Sequence, residues 1–267
     1  MNLQAYLQRI DYSGPLRVNR STLNGLVAAS LRSIPFENLN QQLGTAVSTD
    51  LNKVYQKLVI EKRGGWCFEN NSLFKWALEE IGFNVSMLAG YVGEDQPDKS
   101  HSGDHMFLSV ECDGLHLVDV GFGGGLYSPV PLLGGSEKQV PYEVSVHREH
   151  EGCYKYQEKA DGNQGGYCFT LQKVTTSNFD DANHDLQTNP SSPFIRTLSA
   201  QRRLRDSHYV LRGLVLKRID VAGTTLEILQ SKMALVECLR NEFGLDVPEI
   251  SNCWPRLLQR HKELFGQ

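Results

Sequence analysis

The amino-acid sequence predicts an α+β protein with an N-terminal helical bundle, a central antiparallel β-barrel and a C-terminal α/β unit. Three observations carry that expectation. Apolar residues recur at helical spacing over about the first 80 positions, the period drops to two from Asn84, and helical spacing returns after Ser231. Frequent turn residues between short strand-like runs in the middle of the chain favour a barrel or meander over a doubly wound sheet.

Asn2 to Ile10 and Asn19 to Ser33 are the first two helical candidates; Leu23, Leu26, Val27 and Leu31 lie on one face of the second, and Pro35 stops it. Leu51 to Ile60 carries a further helical pattern. Phe74, Ala77, Leu78 and Ile81 predict another helix, closed by Gly82. Val85, Met87 and Ala89 then alternate with small or polar residues. Met106 to Val110 and Leu115 to Val120 read as a strand pair, followed by strands over Glu143 to His147, Tyr154 to Glu158 and Tyr167 to Val174. The polar stretch from Asn178 to Pro193 reads as a linker. Leu211 to Arg218 and Thr224 to Leu229 read as strands, and Ser231 caps a helix that ends at Gly244. The expected units are 1–83, 84–189 and 190–267.

With 267 residues, 40% of them apolar, the chain can bury a sizeable core. Its 27 basic and 31 acidic residues give a net charge of −4, which argues against a nucleic-acid partner. No apolar run reaches the roughly 20 residues of a membrane span, and no signal peptide precedes the first helix, so the expectation is a cytoplasmic protein without a membrane partner. The six cysteines match neither a zinc ribbon nor a disulfide scaffold. Most read as buried, reduced thiols.

Cys67 differs in its surroundings, Arg63-Gly64-Gly65-Trp66-Cys67-Phe68-Glu69-Asn70-Asn71. Paired glycines fit a sharp turn, and the helix that follows places Cys67 at its N-terminus. There the helix dipole favours a thiolate, and free N–H groups can hold an oxyanion. Taken alone, the motif favours a buried core cysteine over a nucleophile. A nucleophile also needs a base and a group that orients the base. His105 opens a strand whose hairpin partner carries Asp119, a carboxylate between apolar residues that burial obliges to find a partner.

Hairpin register decides whether the two meet. A two-residue turn at Asp113-Gly114 sets His105 opposite Phe122 and Asp119 opposite Leu108, on opposite faces. A three-residue turn, Cys112-Asp113-Gly114 with Gly114 left-handed, sets His105 opposite Gly121 and Asp119 opposite Phe107. The side chains then share a face on the diagonal. The chemistry requires the second register. Other constellations are weaker. His101 and His105 with Cys112 or His116 allow a zinc site to be drawn, but nothing fixes His101 in its loop, and no metal is expected. Gly121-Phe122-Gly123-Gly124-Gly125 lacks the context of a phosphate loop and reads as either close backbone approach to a ligand or a flexible strand exit. Arg202-Arg203-Leu204-Arg205 reads as a solvated basic patch that can also meet phosphates.

Together these residues resemble the arylamine N-acetyltransferases. The motif Arg-Gly-Gly-x-Cys-x-Glu-x-Asn is complete over Arg63 to Asn71, followed by the His-initiated strand and by Val118-Asp119-Val120-Gly121-Phe122-Gly123. Ile34-Pro35-Phe36-Glu37-Asn38-Leu39 and the segment Leu186 to Phe194 also look like that family's, and the length suits a compact, bacterial-type member. The resemblance implies a Cys67, His105, Asp119 triad on a cysteine-protease or transglutaminase-like core, with an α/β lid at the C-terminus. It implies acetyl-CoA as donor and a small aromatic amine as acceptor, in a monomer or homodimer. Phe36, Val92 and Phe122 fall at acceptor-pocket positions; Gly123, Gly124, Thr188 and Ser191 fall at positions that could touch coenzyme A. Asp185 stands where some relatives carry a tyrosine. The alternatives are an acyltransferase or amide synthase of the same fold with another donor, a Cys-His-Asp thiol hydrolase, and a small-molecule binding module with an inert thiol.

Overall fold

The computed structural model describes residues 1–98, 100–150 and 152–265. Its N-terminal helices begin where capping side chains satisfy the first free amides. Asn2 Oδ1 accepts from Ala5 N to open Leu3–Arg9, Asn19 does the same for Arg20–Ser33, and Asp50 for Leu51–Tyr55. A π-helical turn, Gln56–Ile60, continues the last of these. The helix Cys67–Ile81 ends at Gly82, whose φ of 106° stops the backbone as expected.

Among the described residues, eight antiparallel strands form one sheet. Their order is Val130–Pro131, Leu115–Val118, His105–Glu111, Asn84–Val92, Asn163–Val174, Cys153–Ala160, Tyr142–His150 and Gly135–Gln139. The first of these packs back on the last two, so the sheet curls into a nearly closed barrel. Phe107, Tyr156, Tyr167 and Phe169 are buried inside it, with ring centroids about 5 Å apart. The α+β expectation holds: helices, then an antiparallel barrel, then a sheet covered by helices.

A second sheet runs Phe36–Glu37, Ser199–Arg203, Ser207–Arg212, Val215–Asp220, Gly223–Ile228. Its core of Leu198, Ala200 and Leu211 is capped by Leu235, Leu239 and Phe243 of the helix Lys232–Phe243. Ser231 and Gly244 delimit that helix as expected. The first strand of the sheet comes from far upstream, paired Phe36↔Gln201, which no local pattern announces.

Three local expectations need correction. The stretch read as a linker holds the helix Asp180–Thr188, with Phe179 buried and Ala182 and Leu186 packed on the core. That i, i+3, i+7 stripe is narrow enough to be masked by Asn and Asp on the other faces. Leu211 to Arg218 is two strands, because Gly213 takes φ 60° and turns the chain into a hairpin. The Arg202–Arg205 patch is not solvated as a whole. Arg203 is 2% exposed and donates to the carbonyls of Gly125 (2.8 Å), Gln139 (2.7 Å) and Val140 (2.7 Å). Its guanidinium ties the barrel end to the second sheet, and Arg202 donates to the carbonyls of Arg32 and Glu242.

Candidate active site

Cys67 is the first residue of its helix, so its own amide and that of Phe68 have no intrahelical acceptor. Glu69 closes this end. It accepts from Trp66 N (3.3 Å) and from Lys57 Nζ (2.9 and 2.8 Å); burial raises its pKa, and these donors offset that only in part. The paired glycines serve a different need from the one expected. Neither Gly64 nor Gly65 takes a left-handed φ; a Cβ on Gly64 would strike the carbonyl of Pro35, and one on Gly65 would meet Glu69 and Asn70 at 2.9 Å. They are small so that the strand Phe36–Glu37 can lie against the approach to Cys67, where Phe36 and Gly65 form a parallel bridge.

The hairpin has the three-residue register. Glu111 pairs with Leu115 and Leu108 with Val118, which leaves Cys112-Asp113-Gly114 as the turn. Both Asp113 (φ 51°) and Gly114 (φ 116°) have positive φ, so the turn uses one more such residue than expected. The register puts His105 and Asp119 on one face, with His105 Nε2 2.6 Å from Asp119 Oδ2. The imidazole's other edge meets the Cys67 side chain. Cys67 is 7% exposed, His105 3% and Asp119 2%, so the three groups act on one another with little solvent between them.

Asp119 receives four donors. His105 and the Tyr167 hydroxyl (2.9 Å) meet Oδ2; Asn71 Nδ2 and Gly121 N–H (both 2.9 Å) meet Oδ1. Burial opposes its charge, but His105 first and then the other donors outweigh burial and hold its pKa below the usual carboxylate value. Burial likewise opposes a charged His105; Asp119 overcomes it and pushes the imidazole up to about 10. Asn71 does more than touch Asp119. It donates to Met106 O (2.7 Å) and accepts from Val120 N (3.0 Å), which pins both barrel strands to the helix one turn beyond Cys67.

Asn71 and Tyr167 were not singled out from the sequence. Asn71 left a readable signal, since i+4 from Cys67 is the same helix face. Tyr167 left none beyond its place on an alternating strand. Its loss is a measurable test: Tyr167→Phe removes one of two donors to Oδ2 and is expected to lower kcat/KM about 10-fold, with the acid limb of the pH–rate profile moving up. An unchanged profile would show that this hydroxyl does not hold Asp119.

The glycines after Asp119 explain themselves by packing. A Cβ on Gly121 would lie 2.6 Å from Cys67 Cα and 2.7 Å from Asn71 Nδ2; one on Gly123 would lie 2.9 Å from Phe36 Cγ. Gly121→Ala is therefore expected to cost about 1–3 kcal/mol in a urea titration and to displace Cys67 from His105. The other expected site residues divide into two groups. Phe122 lies 5.1 Å from the His105 ring, whereas Phe36 bridges to Gly65, two residues before Cys67, with its ring tilted against Phe194 (6.0 Å). Gly124 follows within the same run. Val92 is 42% exposed at its strand end, where its amide donates to Asp104 next to His105. Thr188 and Ser191 sit at the exposed end of the helix Asp180–Thr188, and their recorded hydrogen bonds are local, Thr188 to the carbonyl of His184 and Ser191 N to Asn189. His101 bonds Glu94 (2.9 Å), away from the partner of His105. Asp104, Asp181 and Asp185 line a cavity of about 510 Å³ beside this region, so its walls are acidic.

Known proteins resemble this chain over most of its length. A family described as N-acetyltransferase matches residues 20–251. The chain is 34% identical to an arylamine N-acetyltransferase of Mycolicibacterium smegmatis, over 94% of each chain. It is 33% identical to human arylamine N-acetyltransferase 1, over 99% of each. Among solved structures, an M. smegmatis arylamine N-acetyltransferase superposes with a TM-score of 0.87 at 32% identity, covering 97% of this chain and 98% of that one. The Mycobacterium marinum arylamine N-acetyltransferase in complex with CoA gives 0.85 at 28% identity, covering 97% and 98%.

Proposed function

This chain belongs to the arylamine N-acetyltransferase family, and from that premise we propose that it moves an acetyl group from acetyl-CoA to arylamines, arylhydrazines or the oxygen of N-hydroxyarylamines through an acetyl-Cys67 thioester. The observation that carries this reading is the buried line of Cys67, His105 and Asp119, with a 2.6 Å bond fixing the imidazole.

In this mechanism the nitrogen of His105 that faces Cys67 already holds the Sγ proton, while Asp119 holds the opposite nitrogen and the imidazolium charge. The sulfur attacks the acetyl carbonyl, and the amides of Cys67 and Phe68 stabilise the developing oxyanion. The C–S bond to coenzyme A breaks, and the departing thiolate takes the proton back from His105. In the second half the arylamine nitrogen, unprotonated at neutral pH, attacks the thioester; its proton passes by way of His105 to Cys67 as the C–S bond breaks. Phe36, Phe122 and Val92 would border the acceptor. Gly123, Gly124, Thr188 and Ser191 would meet coenzyme A, whose phosphates the acidic cavity of Asp104, Asp181 and Asp185 does not favour. Residues 1–83 would then carry the nucleophile, 84–189 the base and carboxylate, and 190–267 the cover, in a cytoplasmic monomer or homodimer.

The test is intact mass after mixing with acetyl-CoA alone, joined to initial rates over a grid of both substrates. One acetyl group on Cys67 and parallel double-reciprocal lines are expected. Intersecting lines without an adduct would sink the reading.

A further inference from the structure

The helix that carries Cys67 borders a small cavity that the transfer chemistry does not use. Tyr6, Ser30, Ile34, Asn70, Leu73 and Val120 line it, and Ile34, the most accessible of them, is only 6% exposed. Its volume of about 10 Å³ is room for one water molecule and for nothing larger.

Two unmet hydrogen-bonding needs meet on its wall. The Tyr6 and Ser30 hydroxyls share one bond of 2.8 Å. Burial raises the Tyr6 pKa, so the pair keeps both of its protons; the shared bond uses one, and among the described residues no acceptor is recorded for the other. Asn70 has the complementary need. Its Nδ2 donates to the carbonyls of Gly65 (3.1 Å) and Val120 (3.4 Å), which settles the end of the amide that is oxygen. Oδ1 is left buried, without a partner among the described residues.

The Asn70 amide stands between the two sides of the site. Gly65 lies two residues before Cys67 and Val120 directly follows Asp119, so the amide ties the entry of the nucleophile's helix to the chain leaving the carboxylate. An asparagine amide can turn over about χ2, which would set Oδ1 against those same two carbonyls. Whatever holds Oδ1 therefore holds the tie.

We propose that the cavity binds one water molecule, which accepts from the Tyr6–Ser30 pair and donates to Asn70 Oδ1, and that Asn70 so fixed is a positioning residue for Cys67 and Asp119. One water with these two partners removes both deficits at once, the donor without an acceptor and the acceptor without a donor. The inference goes beyond the acetyl-transfer reading and does not rest on it, since it concerns the setting of the thiol and not what the thiol attacks.

A high-resolution crystal structure of the whole chain and the alkylation of Cys67 test the two halves. Density is expected for one water within about 2.5–3.2 Å of Asn70 Oδ1 and of Tyr6 Oη or Ser30 Oγ. A site without water, or a hydroxyl bonded directly to Oδ1, overturns the proposal. Asn70→Leu keeps the bulk and loses the amide. Reaction of Cys67 with iodoacetamide near neutral pH, read by peptide mass, is expected to slow about 10-fold in this variant as sulfur and imidazole lose their alignment. Ser30→Ala combined with Tyr6→Phe leaves the water no donor and is expected to slow the reaction too. An unchanged rate in either folded variant, with only a lower thermal midpoint, overturns the positioning role. If neither variant folds, the water and the Asn70 orientation in the wild-type structure decide alone. Alkylation needs no acetyl-CoA, so a missing acetyl-Cys67 adduct would sink the transfer reading and leave this one standing.

Discussion

Replacing Cys67 with alanine is expected to lower acetyl transfer by roughly five to six orders of magnitude, the scale seen when a nucleophile is removed from a coupled triad. Only a sulfur atom is lost, in a residue that opens a helix and is 7% exposed, so stability should change by ~1 kcal/mol or less. Activity and stability therefore separate in this variant, which distinguishes a chemical role from a structural one. Three readouts follow from the same sample. Intact mass should show no acetyl adduct, release of coenzyme A should stop in the absence of amine, and the thermal midpoint should stay close to the wild-type value. Retained acetylation in Cys67→Ala would mean that a direct transfer bypasses the thiol.

Asp119→Asn is the second large effect, with a loss of about 10⁴-fold expected in kcat/KM. The carboxylate accepts two donors on each oxygen. An asparagine offers one acceptor oxygen, so its NH2 must face either His105 and Tyr167 or Asn71 and the Gly121 amide. Either choice sets donor against donor in a dry site, at a cost of about 1–3 kcal/mol for the groups left unsatisfied. The pH behaviour gives a separate check. His105 is raised to about 10 from its ordinary 6.5, so its contribution to stability is complete below about pH 6.5 and is lost as pH rises through about 10. Asp119 is lowered from 3.8, so its contribution is present above that value and is lost as pH falls through the depressed one. The pair is thus intact across the neutral range. In the variant burial acts on His105 unopposed by Asp119, and the imidazole titration followed by NMR should fall from about 10 to below 6.5. A His105 that still titrates near 10 in Asp119→Asn would show that the carboxylate does not hold its charge.

Much of the site was legible before any coordinates because its parts are local. The segment Arg63 to Asn71 places a cysteine at a helix start, and a polar residue inside an apolar strand, Asp119, announces that it has a partner. The remainder was hidden for identifiable reasons. The helix Asp180–Thr188 was masked because its apolar stripe is one residue wide and its first turn, Asp180-Asp181, is acidic to suit the helix dipole. Arg203 looked solvated because a guanidinium among arginines carries no local sign of the carbonyls that surround it. Asn70 was silent for the same reason. Its amide reaches Val120, 50 residues away, and it shares a cavity with Tyr6 and Ser30 only once the N-terminal helices pack.

Sequence alone determined the order of helices, barrel and covered sheet, and the identity of the candidate nucleophile, base and carboxylate. Those follow from periodicity and from the cost of burying charge, which act over a few residues. Only the tertiary structure decided whether His105 and Asp119 meet beside Cys67, because that turned on one residue of hairpin register. Glu111 paired with Leu115 brings His105 and Asp119 to the same face; a shift by one residue would have parted them. The tertiary structure also decided why Gly64, Gly65 and Gly121 are small. Backbone torsion at Gly64 and Gly65 is ordinary, and it is the nearness of Pro35, Glu69 and Cys67, brought together by chain folding, that leaves no room for a side chain.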